Sequence, residues 1–452
     1  MKRGYLFLLL AVGVVQIAAC GGSSSAFAPS GPAVAGVHRL GGGVLYSFQG
    51  GGSDGQNPYS GLLSGGGGEF YGTTFAGGFP SGGAGTVYDI SAAGKEAVLY
   101  KFRGTPDGAG PQAPLIEDAS GALYGTTDYG GNAPSCTYGC GTVFKLTPGT
   151  SGFTESVLYT FVGGNDGSGP HAGLLMTKSG ALFGTTVQGG GACAQPGCGT
   201  VFELKPSGSN YSESVLHAFS GMGGDGMGPA AALVADAGGN LYGTTLWGGS
   251  ATPACRNGPF GVTTCGTVFK LTPSGSTYTL SIIYRFKGGA DGKYPESSLF
   301  PAAHGAYYGL TNQGGATFGN GYGTVFELTP KGSSYTEHVL YAFKGGMDGS
   351  DPDDSPGLVA DRSGNLYGTT VNGGTSACAG GCGTIFKLTH SGSGFTESVV
   401  YRFLGGADGQ FPYGGVAFTK KGTVIGPTWI GGTGSCSGPS GSGCGTIFSA
   451  TR

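Results

Sequence analysis

Three short motifs each occur seven times in this chain, and that recurrence limits the fold more than any other feature. A GTVF-type tetrapeptide starts at Gly85, Gly141, Gly199, Gly266, Gly323, Gly383 and Gly445, in steps of 56, 58, 67, 57, 60 and 62 residues. A YGTT-type motif starts at Tyr71, Tyr124, Phe183, Tyr242, Tyr308, Tyr367 and Ile425. A Y-x-F pair followed by a Gly-rich D-G turn starts at Tyr46, Tyr100, Tyr159, His217, Tyr284, Tyr341 and Tyr401, with histidine replacing tyrosine once. Fixed-period self-similarity of this kind belongs to propellers and solenoids. Within Gly357–Phe403 we read four strands: A over Gly357–Asp361, B over Asn365–Thr370, C over Gly383–Thr389 and D over Thr396–Phe403. Val, Ile, Thr, Tyr and Phe fill these runs, and Gly, Ser, Asp and Pro fill the gaps, as strands and turns require.

Seven units of four short antiparallel strands imply an all-β, seven-bladed β-propeller. The phase of the repeat supports closure. The repeat body begins with a D-type strand at Val44–Phe48 and ends with a C-type strand at Gly445–Ala450, so the last unit lacks the strand that the first segment can supply. Pairing the two removes an exposed edge. An open solenoid is the competing architecture, but it needs capped ends rather than a missing-strand match. Glycine makes up 101 of 452 residues, an amount that without a period would suggest low complexity. Here it falls at strand ends and tight turns. Charged residues are only 10% and no Lys/Arg stripe occurs, so a nucleic-acid partner is not expected.

The GTVF, LY-x-F, GG-x-DG and NLYGTT segments resemble the Gloeo-Verruco (GloVer) tandem repeat family of bacterial secreted proteins, over about residues 44–452. The resemblance is specific for the repeat and brings no established activity with it.

Residues 1–19 read as a secretory signal, with Lys2 and Arg3 before an apolar run from Tyr5 to Val15. Ile17-Ala18-Ala19-Cys20 resembles the lipobox of bacterial lipoproteins, which implies lipidation of Cys20, with residues 20–43 as a flexible tether. Gly21 after the cysteine implies, by that analogy, the outer membrane. An ordinary signal peptide with a chance cysteine is the alternative. The expected protein is an exported monomer held to the membrane by its anchor.

The remaining ten cysteines fall in five close pairs: Cys136/Cys140, Cys193/Cys198, Cys255/Cys265, Cys378/Cys382 and Cys436/Cys444. Each pair lies in a linker between a B and a C strand, so local disulfides in an oxidising compartment are the economical reading. Such short bridges are expected to rigidify a loop rather than to hold the fold. Zinc would need four ligands, and no linker offers them.

Strand order places the B–C linkers and the D–A loops on one face, which we take as the binding face. A carboxylate recurs there in every unit: Asp54, Asp107, Asp166, Asp225, Asp291, Asp348 and Asp408. It could form a ring of ligands, but a residue repeated in every blade is better read as building the D-G turn. Departures from the repeat are better candidates for a ligand: Trp247 and Trp429, the only tryptophans, and the added acids Asp351, Asp353 and Asp354. The tryptophans can stack on sugar rings or cover inter-blade gaps. The acidic loop could take Ca²⁺ but lacks the spacing of a known calcium loop, so no metal or other cofactor is assigned. His171 reads as a solvated loop residue. No nucleophile elbow or zinc-protease signature occurs, and no catalytic residue is assigned. The reading is a binding module for glycan, peptide or an envelope protein. The alternative is a carbohydrate-active hydrolase or lyase with its site on the disulfide-loop face.

Overall fold

The computed structural model describes residues 42–80, 82–191, 193, 196–208, 210–255, 263–316, 320–332, 334–352, 356–392, 394–438 and 441–451. The signal segment, Cys20, Asp353 and Asp354 lie outside the described residues.

Seven antiparallel sheets form the blades of a β-propeller. The sixth blade has A at Val359–Ala360, B at Leu366–Thr370, C at Thr384–Ser391 and D at Gly394–Arg402. The seventh takes A, B and C from the C-terminal end, at Ala417–Phe418, Val424–Thr428 and Thr446–Ala450. Its outer D strand is the first strand among the described residues, Gly42–Ser47, paired antiparallel with Thr446–Ala450. The ring therefore closes by the missing-strand match. The first described strand starts two residues earlier than the motif suggested. Single 3₁₀ turns, such as Gly289–Asp291 and Gly406–Asp408, appear within the D–A loops where no helix was expected. Each is too short to register as a period in the sequence.

The repeated motifs are the joints of this ring. The Phe that ends each D strand is buried and meets an aromatic ring of the next blade's C strand edge-on: Phe48–Tyr88, Phe102–Phe144, Phe161–Phe202, Phe219–Phe269, Phe286–Phe326, Phe343–Phe386 and Phe403–Phe448, at 4.9–5.2 Å. Edge-to-face pairs at this distance add to the area they bury. Inside each blade the last Thr of strand B bonds the first Thr of strand C, from Thr74–Thr86 round to Thr428–Thr446, at 2.7–2.8 Å. The Gly of the D-G turn lies against this hydroxyl pair. At Gly409 a Cβ would collide with Thr428 Oγ1, so only glycine fits.

All five close cysteine pairs are disulfides: Cys136–Cys140, Cys193–Cys198, Cys255–Cys265, Cys378–Cys382 and Cys436–Cys444. The pairing agrees with the sequence reading, and the placement adds to it. The second cysteine of each pair is not a surface loop residue. Cys140, Cys198, Cys265, Cys382 and Cys444 are all buried, none more than 2% exposed, and Cys255 is buried as well. Each second cysteine packs in the core cluster that holds the D-strand Phe of its own blade: Cys140 with Phe161, Cys198 with Phe219, Cys265 with Phe286, Cys382 with Phe403 and Cys444 with Phe48. The cause is its position directly before the GT that opens strand C, where the linker has already turned back into the blade. A sulfur there is a small apolar filler as well as one end of a bridge. These cysteines therefore serve the core and offer nothing to a ligand.

The sulfurs also lie against the first glycine of the D–A turn in the same blade: Cys198 at Gly221, Cys265 at Gly288, Cys378 and Cys382 at Gly405, and Cys436 and Cys444 at Gly50. In the fifth blade Tyr322 holds the place of the second cysteine, and its ring covers Gly345 instead. Five disulfides are consistent with a chain that folds outside the cytoplasm. Among the described residues no helix is long and apolar enough to cross a membrane.

Candidate functional site

The D–A loops and B–C linkers do share a face, because they pair with one another: Ala109 bridges Tyr129, Ser168 bridges Gln188, Ser350 bridges Asn372 and Gln410 bridges Ile430. The seven repeated aspartates sit at the outer part of this face. Each accepts a backbone N–H four or five residues before it, at 2.6–3.0 Å, as from Gln49 to Asp54 and from Leu404 to Asp408. Six also accept the hydroxyl of the Y-x-F tyrosine, as Tyr159 to Asp166 at 2.7 Å; His217 approaches Asp225 at 3.4 Å instead.

At five blade junctions a glutamate of the next D strand joins this pair: Glu96 beside Asp54, Glu155 beside Asp107, Glu213 beside Asp166, Glu337 beside Asp291 and Glu397 beside Asp348. Each has one fully buried oxygen without a hydrogen-bond donor. Burial first, and the neighbouring aspartate second, pushes Glu96, Glu155, Glu213 and Glu397 up to about 7 and Glu337 up to about 8. The two exceptions follow from register. Leu280 takes the glutamate position in the fourth blade, at the junction where His217 replaces tyrosine. Gly42 takes it in the closing strand. These acids tie blade to blade.

The centre of the same face breaks the symmetry. Each D–A loop carries an x-Pro-x triplet in its sequence: Asn57-Pro58-Tyr59, Gly110-Pro111-Gln112, Gly169-Pro170-His171, Gly228-Pro229-Ala230, Tyr294-Pro295-Glu296, Asp351-Pro352-Asp353 and Phe411-Pro412-Tyr413. The residue before proline adopts a left-handed backbone. Three blades use glycine there, but Asn57, Tyr294, Asp351 and Phe411 hold φ of 53–60° with full side chains. Such strain persists where the surrounding structure demands it and clusters at functional sites.

Four of the residues after proline, Tyr59, Gln112, His171 and Tyr413, converge across blades. Tyr59 stacks on Tyr413 with centroids 4.8 Å apart and planes 17° from parallel. Trp429 meets Tyr413 edge-on at 5.6 Å, and its backbone carbonyl accepts Asn57 Nδ2 at 3.1 Å. On the other side Tyr59 meets His171 edge-on at 6.4 Å. His171 Nδ1 lies 3.4 Å from Asp128 Oδ1, and Gln112 Nε2 donates to Asp128 Oδ2 at 3.1 Å. Asp128 is 7% exposed, whereas the three rings and His171 are half-buried and reach solvent. The arrangement is an aromatic platform built of a stacked tyrosine pair with Trp429 set edge-on, flanked by a carboxylate, an amide and an imidazole.

Of the residues singled out from sequence, Trp429 belongs to this cluster and Trp247 does not. Trp247 is 7% exposed, packed with Leu246, Tyr294 and Met227, so its ring closes a seam and offers little face to a ligand. Asp351 lies in the same loop series and accepts Asn372 Nδ2 at 2.8 Å; burial raises its carboxyl. His171 is not an isolated loop residue, since it joins Tyr59 to Asp128. Tyr59, Tyr413, Phe411, Gln112 and Asp128 escaped the sequence reading. Aligning the seven loops on their proline would have exposed all but Asp128. On the opposite face the hairpin turns border two grooves of about 460 and 380 Å³. In the first, Asp361 is engaged by Ser363, Asn365 and Tyr367, as a turn residue is.

A family model described as the Gloeobacter/Verrucomicrobia repeat matches residues 37–252 and 254–452. The chain belongs to this repeat family. No curated protein matches the repeat chain. Among solved structures, an ancestral GH74 enzyme superposes with a TM-score of 0.53 at 10% identity, over 90% of this chain and 49% of that one. This repeat protein thus spans about half the length of that enzyme. A putative 6-phosphogluconolactonase from Bacteroides uniformis gives 0.47 at 13% identity, covering 76% and 84% of the two chains. The periplasmic gluconolactonase of Pseudomonas aeruginosa gives 0.43 at 15%, covering 82% and 95%. At these identities the likeness is one of fold.

Proposed function

We propose that this repeat protein is a glycan-binding module of the cell envelope, with the ligand seated on the Tyr59–Tyr413–Trp429 platform. The observation that carries it is the stacked tyrosine pair, contributed by two different D–A loops and flanked by Asp128, Gln112 and His171. A sugar ring has an apolar C–H face and a rim of hydroxyls, and this cluster sets solvent-reaching aromatic surface beside acceptors and donors. The platform breaks a seven-fold repeat that otherwise serves packing, and binding residues collect on loops of a rigid scaffold. Cys20 anchors the module to the outer membrane by lipid, and the first strand enters the propeller from the face opposite the platform.

The test is binding of the exported protein to a panel of neutral and acidic polysaccharides, with Tyr59→Ala and Tyr413→Ala compared by calorimetry. Each variant is expected to lose tenfold or more in affinity with an unchanged melting curve. Binding to no polysaccharide, or binding indifferent to Tyr413→Ala, refutes the reading. For the anchor, labelled fatty acid should be incorporated by the native chain and not by Cys20→Ala.

A second reading rests on His171 beside the nearly buried Asp128. An imidazole oriented by a carboxylate is the pairing that acid–base catalysis uses, which makes a carbohydrate-active hydrolase or lyase the alternative. Turnover of a bound polysaccharide, abolished by His171→Gln while binding persists, would decide for the enzyme.

A further inference from the structure

The aromatic surface does not end at Asp128. Tyr129 directly follows Asp128, and its hydroxyl is held protonated by burial and by that carboxylate. Its ring meets Phe75 of the first blade at 6.5 Å and Tyr138 at 6.4 Å, both edge-on. Gly110 lies against both Phe75 and Tyr129, so no side chain of the D–A loop intrudes between them. Rings and polar groups thus run without a break from Trp429 through Tyr413, Tyr59, His171 and Asp128 to Tyr129 and Tyr138.

Tyr138 is the unusual member. It is 58% exposed, one of the few large apolar side chains so open to water. It also sits in the middle of the Cys136–Cys140 disulfide loop. Its carbonyl accepts Gly130 N–H at 2.8 Å, and Gly139 N–H donates to Cys136 O at 3.1 Å, so both bridge and backbone fix the loop. The sixth blade has a disulfide loop of the same span, Cys378–Cys382, but it encloses Ala379, Gly380 and Gly381. The second and sixth blades share this frame, and of the two only the second, beside Asp128, sets an exposed ring inside it. Fixing an exposed aromatic in place reduces what a ligand must spend on ordering it.

We propose that Phe75, Tyr129 and Tyr138 form an outer sugar subsite, so that the ligand is an oligosaccharide running from the Tyr59–Tyr413 platform along the second blade. This rests on the glycan reading above. A peptide that added itself as a strand would need a free sheet edge, whereas Phe75, Tyr129 and Tyr138 meet through their rings.

The experiment measures affinity for the dimer and hexamer of cellulose-, xylan- and pectate-derived series. In the series that binds, the hexamer is expected to bind at least tenfold tighter than the dimer. Tyr138→Ala should reduce hexamer affinity about three- to tenfold, the worth of one aromatic contact, and leave dimer affinity unchanged. Cys136→Ser with Cys140→Ala should weaken the hexamer alone, by loosening the loop. Tyr413→Ala should weaken both ligands. Equal affinity for dimer and hexamer, or a Tyr138→Ala variant that binds the hexamer as the native protein does, overturns the outer subsite while leaving the platform standing. Binding of no series overturns the glycan reading and this inference with it.

Discussion

The junction glutamates make stability fall as pH rises from 5 to 8. In the unfolded chain a glutamate releases its proton near 4.5, whereas Glu96, Glu155, Glu213 and Glu397 hold theirs to about 7 and Glu337 to about 8. Between those values the folded state binds more protons, so each added unit of pH favours unfolding. The stabilising contribution is full below about 4.5 and is lost as pH rises through 7 to 8. A fully shielded carboxyl moved this far would account for roughly 3–5 kcal/mol. These side chains are half-buried, and solvent screening reduces the working value to about 1 kcal/mol each. Five such sites give a loss on the order of 5 kcal/mol, a large part of an ordinary domain's stability. Aspartates whose carboxyls are lowered, such as Asp118 at about 2, titrate below this window and do not offset it. The assay is urea unfolding of the disulfide-intact protein at pH 5, 6, 7 and 8. Glu155→Gln removes one ionisation. It should gain about 1 kcal/mol over the native protein at pH 8 and nothing at pH 5. A midpoint that is flat or rises from pH 5 to 8 refutes the reasoning.

Other expectations follow from single contacts. Phe286→Ala removes the ring between Tyr284 and Phe326 and should cost about 3–5 kcal/mol in thermal or chemical unfolding. Gly409→Ala drives a methyl into Thr428 and should prevent closure of the last blade, read as loss of soluble folded protein. Replacing Cys378 and Cys382 by alanine opens a loop of only four-residue separation and removes a buried sulfur beside Phe403. Chemical unfolding should show a loss of about 2–3 kcal/mol, most of it from the bridge. His217→Tyr combined with Leu280→Glu installs the missing junction. A double-mutant cycle should show favourable coupling at pH 5 that shrinks at pH 8.

The fold was legible because its signals are redundant. Seven copies of GTVF and YGTT fixed the number of blades, and the unpaired D strand at Val44 with the unpaired C strand at Gly445 fixed how the ring closes. The five disulfides were legible because each linker held two cysteines or none. That Cys198, Cys265 and Cys444 belong to the core was not, because the Phe each one packs with reaches it only through the pairing of strands C and D. The site was not legible either, because its information occurs once. Tyr59 and Tyr413 are separated by more than 350 positions and meet only when the closing strand brings the seventh blade against the first. Asp128 follows a YGTT motif that draws attention to itself, and nothing in the sequence places His171 beside it. The junction glutamates recur at one position of strand D, in TES at Glu155 and Glu397, SES at Glu213, TEH at Glu337 and KEA at Glu96. Their partners, though, lie in the preceding blade, so only the assembled ring shows why Leu280 accompanies His217.

The residues before the loop prolines show where this repeat departs from packing needs at a cost in energy. The backbone there is left-handed in all seven blades, and Gly110, Gly169 and Gly228 adopt it freely. Asn57 and Asp351 belong to the types that tolerate it best. Tyr294 and Phe411 do not, and at φ 60° each forgoes a relief that its sister blades have taken. For Phe411 the backbone strain is about 1–2 kcal/mol. Replacing it by glycine recovers that strain but loses about 0.5–1 kcal/mol to the freer unfolded chain, together with the contact of its half-buried ring with Tyr413 at 6.5 Å. Phe411→Gly should therefore lie within about 1 kcal/mol of the native stability, far from the cost of Phe286→Ala. The same substitution should weaken glycan binding, because Phe411 borders the ring on which Tyr59 stacks. Unfolding and binding measured on this one variant separate the two roles. A loss of about 3 kcal/mol or more in stability would make Phe411 a packing residue and would remove strain as a marker of the binding face.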